Sequence, residues 1–156
     1  MTETARVLLT AGILSAVALT TFVWRLIRPG RAAHEYLIDQ LRLSQLAAVL
    51  LAGTGAVGIG LAVAAASGQA ALLEALVGLG AVTMSLLVLR SEPPAALIVV
   101  AALFLSHAIF ASAHRPGLLS VQLVPRWWWM GCATYDVYLA LLCLTARFLG
   151  KARWPK

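Results

Sequence analysis

Apolar residues run through this chain in five long stretches, separated by short polar breaks. They extend roughly over residues 7–24, 44–66, 70–89, 95–113 and 127–148. A hydrocarbon core about 30 Å thick needs about 20 apolar residues in a helix, and each stretch is close to that length. The pattern predicts an all-α, polytopic integral membrane protein with five transmembrane helices and short loops. Arg6, an apolar run and Ala16-Val17-Ala18 together resemble a cleavable signal, but the run is read as a true span. The longest polar segments, 25–43 and 114–126, leave no room for a soluble domain. Residues 1–156 are therefore expected to form a single transmembrane helical domain.

The breaks carry their own signals. Arg28-Pro29-Gly30 ends the first span, since proline cannot continue a helix and glycine tolerates the turn. Ser67-Gly68-Gln69 is a tight hairpin between spans two and three. Ser91 can cap span four, and Pro93-Pro94 suit its first turn. Pro116-Gly117 and Pro125 make 114–126 a turn-rich excursion. Between spans one and two, Leu37, Leu41 and Ser44 recur at helical spacing while Glu35, Asp39 and Arg42 face elsewhere. Residues 31–43 thus read as a helical turn or two at the membrane surface, leading into span two. A docking surface for a cytosolic partner is the sharper reading of the same segment.

Charge adds orientation. Arg25, Arg28, Arg31, Arg42, Arg90, Arg147, Lys151, Arg153 and Lys156 fall on one side, and Arg6, Arg115 and Arg126 on the other. Basic residues favour the cytoplasmic side, so the N-terminus is expected outside and the C-terminus in the cytoplasm. The net charge of +6 is then a topology and lipid-headgroup signal, with no nucleic-acid partner. The bias towards Ala, Leu, Gly and Arg fits a GC-rich bacterial gene and places the chain in a bacterial inner membrane. Trp127, Trp128 and Trp129 open span five at one interface, and Trp24 and Trp154 sit at the other. Indole rings prefer headgroup depth.

Composition confirms the class: 62% of residues are hydrophobic and only 12% charged, against about 25% in soluble domains. Cys132 and Cys143 lie eleven residues apart on one helix, about 16 Å, too far for a mutual disulfide. No zinc spacing, HExxH, P-loop or GxSxG is present, so no metal site and no catalytic residue is assigned.

Two features could carry function. In span two, Ala48, Ala52, Ala56, Gly60 and Ala64 repeat every four residues. Small residues at that spacing let helix backbones approach closely, within the chain or against another subunit. Thr54, Gly58 and Ala62 run beside them. Second, ionisable groups deep in the spans are costly and mark sites. His107 and Asp136 stand at matching depth on antiparallel spans four and five, with Cys132, Tyr135 and Tyr138 near the same level and His114 at the rim. A His107–Asp136 pair can relay protons, ligate a metal with Cys132 or His114, or simply fasten two spans together. Glu74, just inside span three, is read as a carboxylate favoured by the helix dipole. The candidate cofactor contacts are His107, Trp128 and Tyr135, for a haem, chlorophyll or quinone shared with a partner chain.

The resulting expectation is a non-catalytic integral membrane subunit rather than an enzyme. It would pack among other membrane subunits, in a respiratory or photosynthetic electron-transfer assembly. The rival is a small oligomeric transporter or channel using the His107–Asp136 pair for proton or solute handling.

Overall fold

A computed structural model describes residues 3–28, 33–65, 68–114, 119 and 124–151. These hold five helices and no strand: α1 (Glu3–Leu26), α2 (Ala33–Ala65), α3 (Gln69–Val88), α4 (Pro93–Ser112) and α5 (Arg126–Lys151). All five are long and apolar enough to cross a membrane. Most of the Arg28-Pro29-Gly30 break, Ser67 and much of 114–126 lie outside the described residues.

Local chemistry sets the helix ends. Gly68 adopts φ +112°, a conformation that only glycine enters without strain, and α3 starts directly after it. Pro93 and Pro94 open α4, where their fixed φ suits the helix and no N–H is missed. Ser91 does not cap α4. Its hydroxyl donates to the Leu87 carbonyl at 3.0 Å and so serves the last turn of α3 instead. The N-cap position of α4 is Glu92, without a side-chain bond.

The helices form two close hairpins, α2 with α3 and α4 with α5, joined mainly through α2 and α4. The core lies between them. Phe104, Leu97 and Val100 of α4 meet Leu43, Ala48 and Leu51 of α2 and Leu139, Ala140 and Cys143 of α5. The outside of the bundle is apolar: Val63 is 75% exposed and Ile109 74%, with many leucines beside them.

Tight contact between α2 and α3 falls on glycines outside the Ala48–Ala64 row. A Cβ on Gly55 would stand 2.5 Å from the Gly78 carbonyl oxygen, and one on Gly78 2.5 Å from the Gly55 oxygen. In the row itself Ala48 is buried and Ala52 half-buried, whereas Ala56, Gly60 and Ala64 are exposed. That half of the row turns away from the rest of the chain.

Residues 33–43 are the first turns of α2 itself, not a separate element. Burial divides them by more than polarity, since Glu35 and Arg42 are exposed and Ser44 is buried. Asp39 and Gln40 are buried, while Leu37, Ile38 and Leu41 are exposed. The cause is a polar seam with α5: the Tyr36 hydroxyl donates to the Ala146 carbonyl at 2.9 Å, and Gln40 Nε2 donates to the Tyr36 hydroxyl at 2.7 Å.

Helix α1 sits at the edge, fastened to α5 by hydroxyls. The Ser15 and Tyr135 hydroxyls are 2.6 Å apart, and the Tyr138 hydroxyl lies 2.6 Å from both the Ala16 carbonyl and Thr20 Oγ1. Val23 and Leu26 join the core near the C-terminal end of α1, and removing both tyrosine hydroxyls (Tyr135→Phe with Tyr138→Phe) is expected to loosen the half of α1 before them. Spin labels at exposed Leu14 and Met130 would then report a broader distance distribution than in the parent protein. An unchanged distribution would show that apolar packing alone holds α1.

Candidate functional site

On α4, His107, Phe110 and His114 follow each other at spacings of three and four, and so share a face. On α5, Trp129, Cys132 and Asp136 do the same. The two helices are antiparallel neighbours. One register therefore sets His107 against Asp136 and, seven residues further up α4 and back along α5, His114 against Trp129.

His107 Nδ1 lies 2.6 Å from Asp136 Oδ2, with side-chain exposures of 12% and 5%. The carboxylate accepts from the ring N–H, which fixes the tautomer with hydrogen on Nδ1.

His114 ends α4 and makes a second pair. Its Nε2 lies 2.6 Å from Glu74 Oε1 of α3, and both side chains are almost fully buried. The contact is close but poorly aligned, and Glu74 Oε1 has no other donor. The same ring contacts the Phe110 carbonyl through Nδ1 at 3.1 Å. A carbonyl only accepts, so Nδ1 carries hydrogen. Nε2 and the carboxylate would then face each other lone pair to lone pair unless one more proton sits between them. The 2.6 Å contact therefore holds one proton, on nitrogen or on oxygen. Trp129 stacks on the imidazole, with centroids 3.7 Å apart and planes 13° apart, and Phe110 meets it edge-on at 4.9 Å. An indole face stabilises the ring most when it is charged.

The two pairs form one cluster. Glu74 is within electrostatic reach of His107, and Cys132 is within reach of both Asp136 and Glu74. Helix α2 contributes space: Gly58 faces Glu74, where a Cβ would stand 3.4 Å from Oε2. Among the described residues, no three His, Cys, Asp or Glu side chains gather closely enough to hold a metal ion.

The other expected cofactor contacts lie elsewhere. The Tyr135 hydroxyl is engaged by Ser15 of α1, and Trp128 is half-buried with its ring edge-on to Trp127. Neither joins His107. Glu74 and His114 are the residues that sequence reasoning did not pair. Glu74 looked like a helix-start carboxylate and His114 like a rim residue. The usable signal was depth, since Glu74 is five residues into α3 and His114 sits just past the end of antiparallel α4.

The chain matches no protein-family model, no curated protein sequence and no solved structure.

Proposed function

We propose that this chain is a multi-pass integral membrane protein whose buried histidine–carboxylate cluster handles protons, acting as a small oligomeric transporter. Its outer surface of exposed leucine, valine and isoleucine is that of a bundle solvated by lipid. The nine-to-three split of basic residues puts the N-terminus outside and the C-terminus in the cytoplasm, in a bacterium across the inner membrane. The observation that carries the functional reading is the buried 2.6 Å contact between Glu74 and His114, which a proton would join, beside a second buried pair. Ionisable side chains inside a span are expensive, and proton relays are one of their main uses.

Reconstitution into vesicles tests this. An imposed acid-outside gradient should drive proton entry that Glu74→Gln and Asp136→Asn each reduce by about tenfold or more. Flux at the parental rate in both variants would overturn the reading.

The exposed half of the α2 row favours a second reading. Ala56, Gly60 and Ala64 offer a smooth helix face suited to another membrane subunit. On that reading the chain is a non-catalytic member of a larger assembly, respiratory or photosynthetic, with His107 Nε2 turned to a shared haem, chlorophyll or quinone. Purification in mild detergent separates the two: foreign subunits at fixed stoichiometry, with a cofactor absorption band, support the subunit. A colourless self-oligomer supports the transporter.

A further inference from the structure

We propose that the Glu74–His114 contact is a proton-operated latch, closing the cluster at the end of the bundle where α3 begins and α4 ends. The inference rests on the proton-handling reading above and adds how the site opens and from which end.

The two ends of the cluster are unequal. Below the His107–Asp136 pair the bundle is filled by Phe104, Leu139, Leu51, Val100 and Ala140, none more than 4% exposed. From Asp136 down to Ala146 this apolar filling spans ten residues of α5, about 15 Å. Above the pair, among the described residues, Glu74 and His114 meet beside Trp129, with Ala108, Ala111 and Ala133 packed around the indole. Parting the Glu74–His114 contact opens the cluster, whereas the polar groups at the other end, Tyr36 and Gln40 against the Ala146 carbonyl, lie beyond that apolar filling.

The proton decides whether the contact holds. With it, Nε2 and the carboxylate are joined and Nδ1–H reaches the Phe110 carbonyl. Without it, the ring has one hydrogen for two acceptors. Left on Nδ1, that hydrogen leaves a bare Nε2 against the carboxylate at 2.6 Å. Moved to Nε2, it leaves a bare Nδ1 against the Phe110 carbonyl at 3.1 Å. Either way one of the two contacts becomes repulsive, and the ring end of α4 is released. The other ionisable groups within electrostatic reach of Glu74 are His107 of α4, itself paired with Asp136, and Cys132 of α5, and α2 presents Gly58 there. The proton balance is simple. On closing, a hydronium ion loses one O–H bond, one N–H or O–H bond forms in the contact, and a water molecule is left outside. Opening reverses this.

Glutamine at position 74 removes the need for the proton. Its amide N–H can donate to His114 Nε2 while Nδ1–H stays on the Phe110 carbonyl, so Glu74→Gln should remain latched at every pH. Cys132 supplies the reporter, being half-buried within the cluster, and Cys143→Ala removes the second thiol. In vesicles of the Cys143→Ala protein, a charged, membrane-impermeant methanethiosulfonate is added to one side at a time between about pH 5 and about pH 8. The rate is divided by that of Cys143→Ala with Glu74→Gln, and the same ratio taken with a neutral, thiolate-reactive reagent that crosses the membrane corrects for the effect of the Glu74 charge on the thiol's ionisation. The ratio is expected to climb with pH by up to about tenfold per unit, because one proton leaves per opening. It should do so only with reagent on the side where α3 begins. Glu74→Ala should label fast even at the acid end. A ratio flat with pH, or labelling from the opposite side, overturns the latch. The flux assay is separate: a climbing ratio without flux sinks the transporter and keeps the latch, and flux with a flat ratio does the reverse.

Discussion

Gly55→Ala is expected to lower stability by about 2–3 kcal/mol, the range of an overpacked helix contact that backbone cannot yield to. Its new Cβ would stand 2.5 Å from the Gly78 carbonyl oxygen, with Ala81 Cβ at 3.0 Å and Val82 Cγ2 at 3.1 Å. Only the Val82 methyl can turn aside; the carbonyl and Ala81 Cβ move with the α3 backbone, so α3 itself must retreat. Gly78→Ala meets the same obstacle from the other side, 2.5 Å from the Gly55 oxygen and 3.1 Å from the Ile59 backbone nitrogen. Since one retreat relieves both clashes, the double variant should cost clearly less than the two losses added. The controls come from the same helices. Gly53, Gly60 and Gly80 have nothing within 4 Å of the added methyl. There alanine should be neutral or stabilising by up to about 1 kcal/mol, through helix propensity alone. Unfolding of the purified protein in mixed micelles measures all of these. If Gly55→Ala melts like Gly53→Ala, the close α2–α3 crossing does not exist.

That crossing also reaches the candidate site. Glu74 is one turn from Gly78 on α3, on the same face, and Gly58 lies beneath its carboxylate. Pushing α3 outward at Gly78 draws Glu74 from His114. Gly78→Ala should therefore disturb the proton-bearing contact as well as the packing, although position 78 holds no ionisable group.

The helices themselves were legible because length and apolarity suffice to mark them. The buried faces were not, and residues 33–43 show why. The pattern set Leu37 and Leu41 on one face and Asp39 on another, but it gave no sign that Gln40, at 1% exposed, turns into the bundle. In a bundle whose outer surface is apolar, hydrophobicity no longer separates inside from outside. What draws Tyr36 and Gln40 inward is the Ala146 carbonyl on a distant helix, which no local pattern reports. The small-residue row failed to single out the crossing for a related reason. Alanine is abundant here, whereas the decisive positions, Gly55 and Gly78, are those where even alanine does not fit. His107 and Asp136 could be set at one depth by counting turns, since α4 and α5 are adjacent and antiparallel. Glu74 and His114 needed the register of α3 against α4, and the Gly55–Gly78 contact that seats α3 on α2 was not visible in the sequence.

Breaking the His107–Asp136 pair should cost very different amounts depending on which partner goes. Asp136→Leu leaves an imidazole that loses one acceptor, a cost of about 1–2 kcal/mol. His107→Leu leaves a carboxyl group only 5% exposed with no imidazole beside it. The carboxylate is too costly to bury alone, so it must take up a proton. An ordinary aspartic acid is almost wholly ionised at pH 7, and holding one neutral there costs about 4 kcal/mol. The sign of the pH dependence follows. In the unfolded chain Asp136 gives up this proton above about pH 4, so unfolding is favoured as pH rises and the defect of His107→Leu shrinks towards about pH 4. Asp136→Leu has no such carboxyl and should show a flatter difference over the same range. Replacing both residues with leucine removes the stranded group, and buried pairs exchanged for apolar side chains are often neutral in stability. The double variant should thus recover most of the His107→Leu loss while abolishing any proton flux that passes through the pair. Denaturation curves at several pH values decide the matter. Equal losses for the two single variants, independent of pH, would mean that the 2.6 Å contact carries no proton-linked energy.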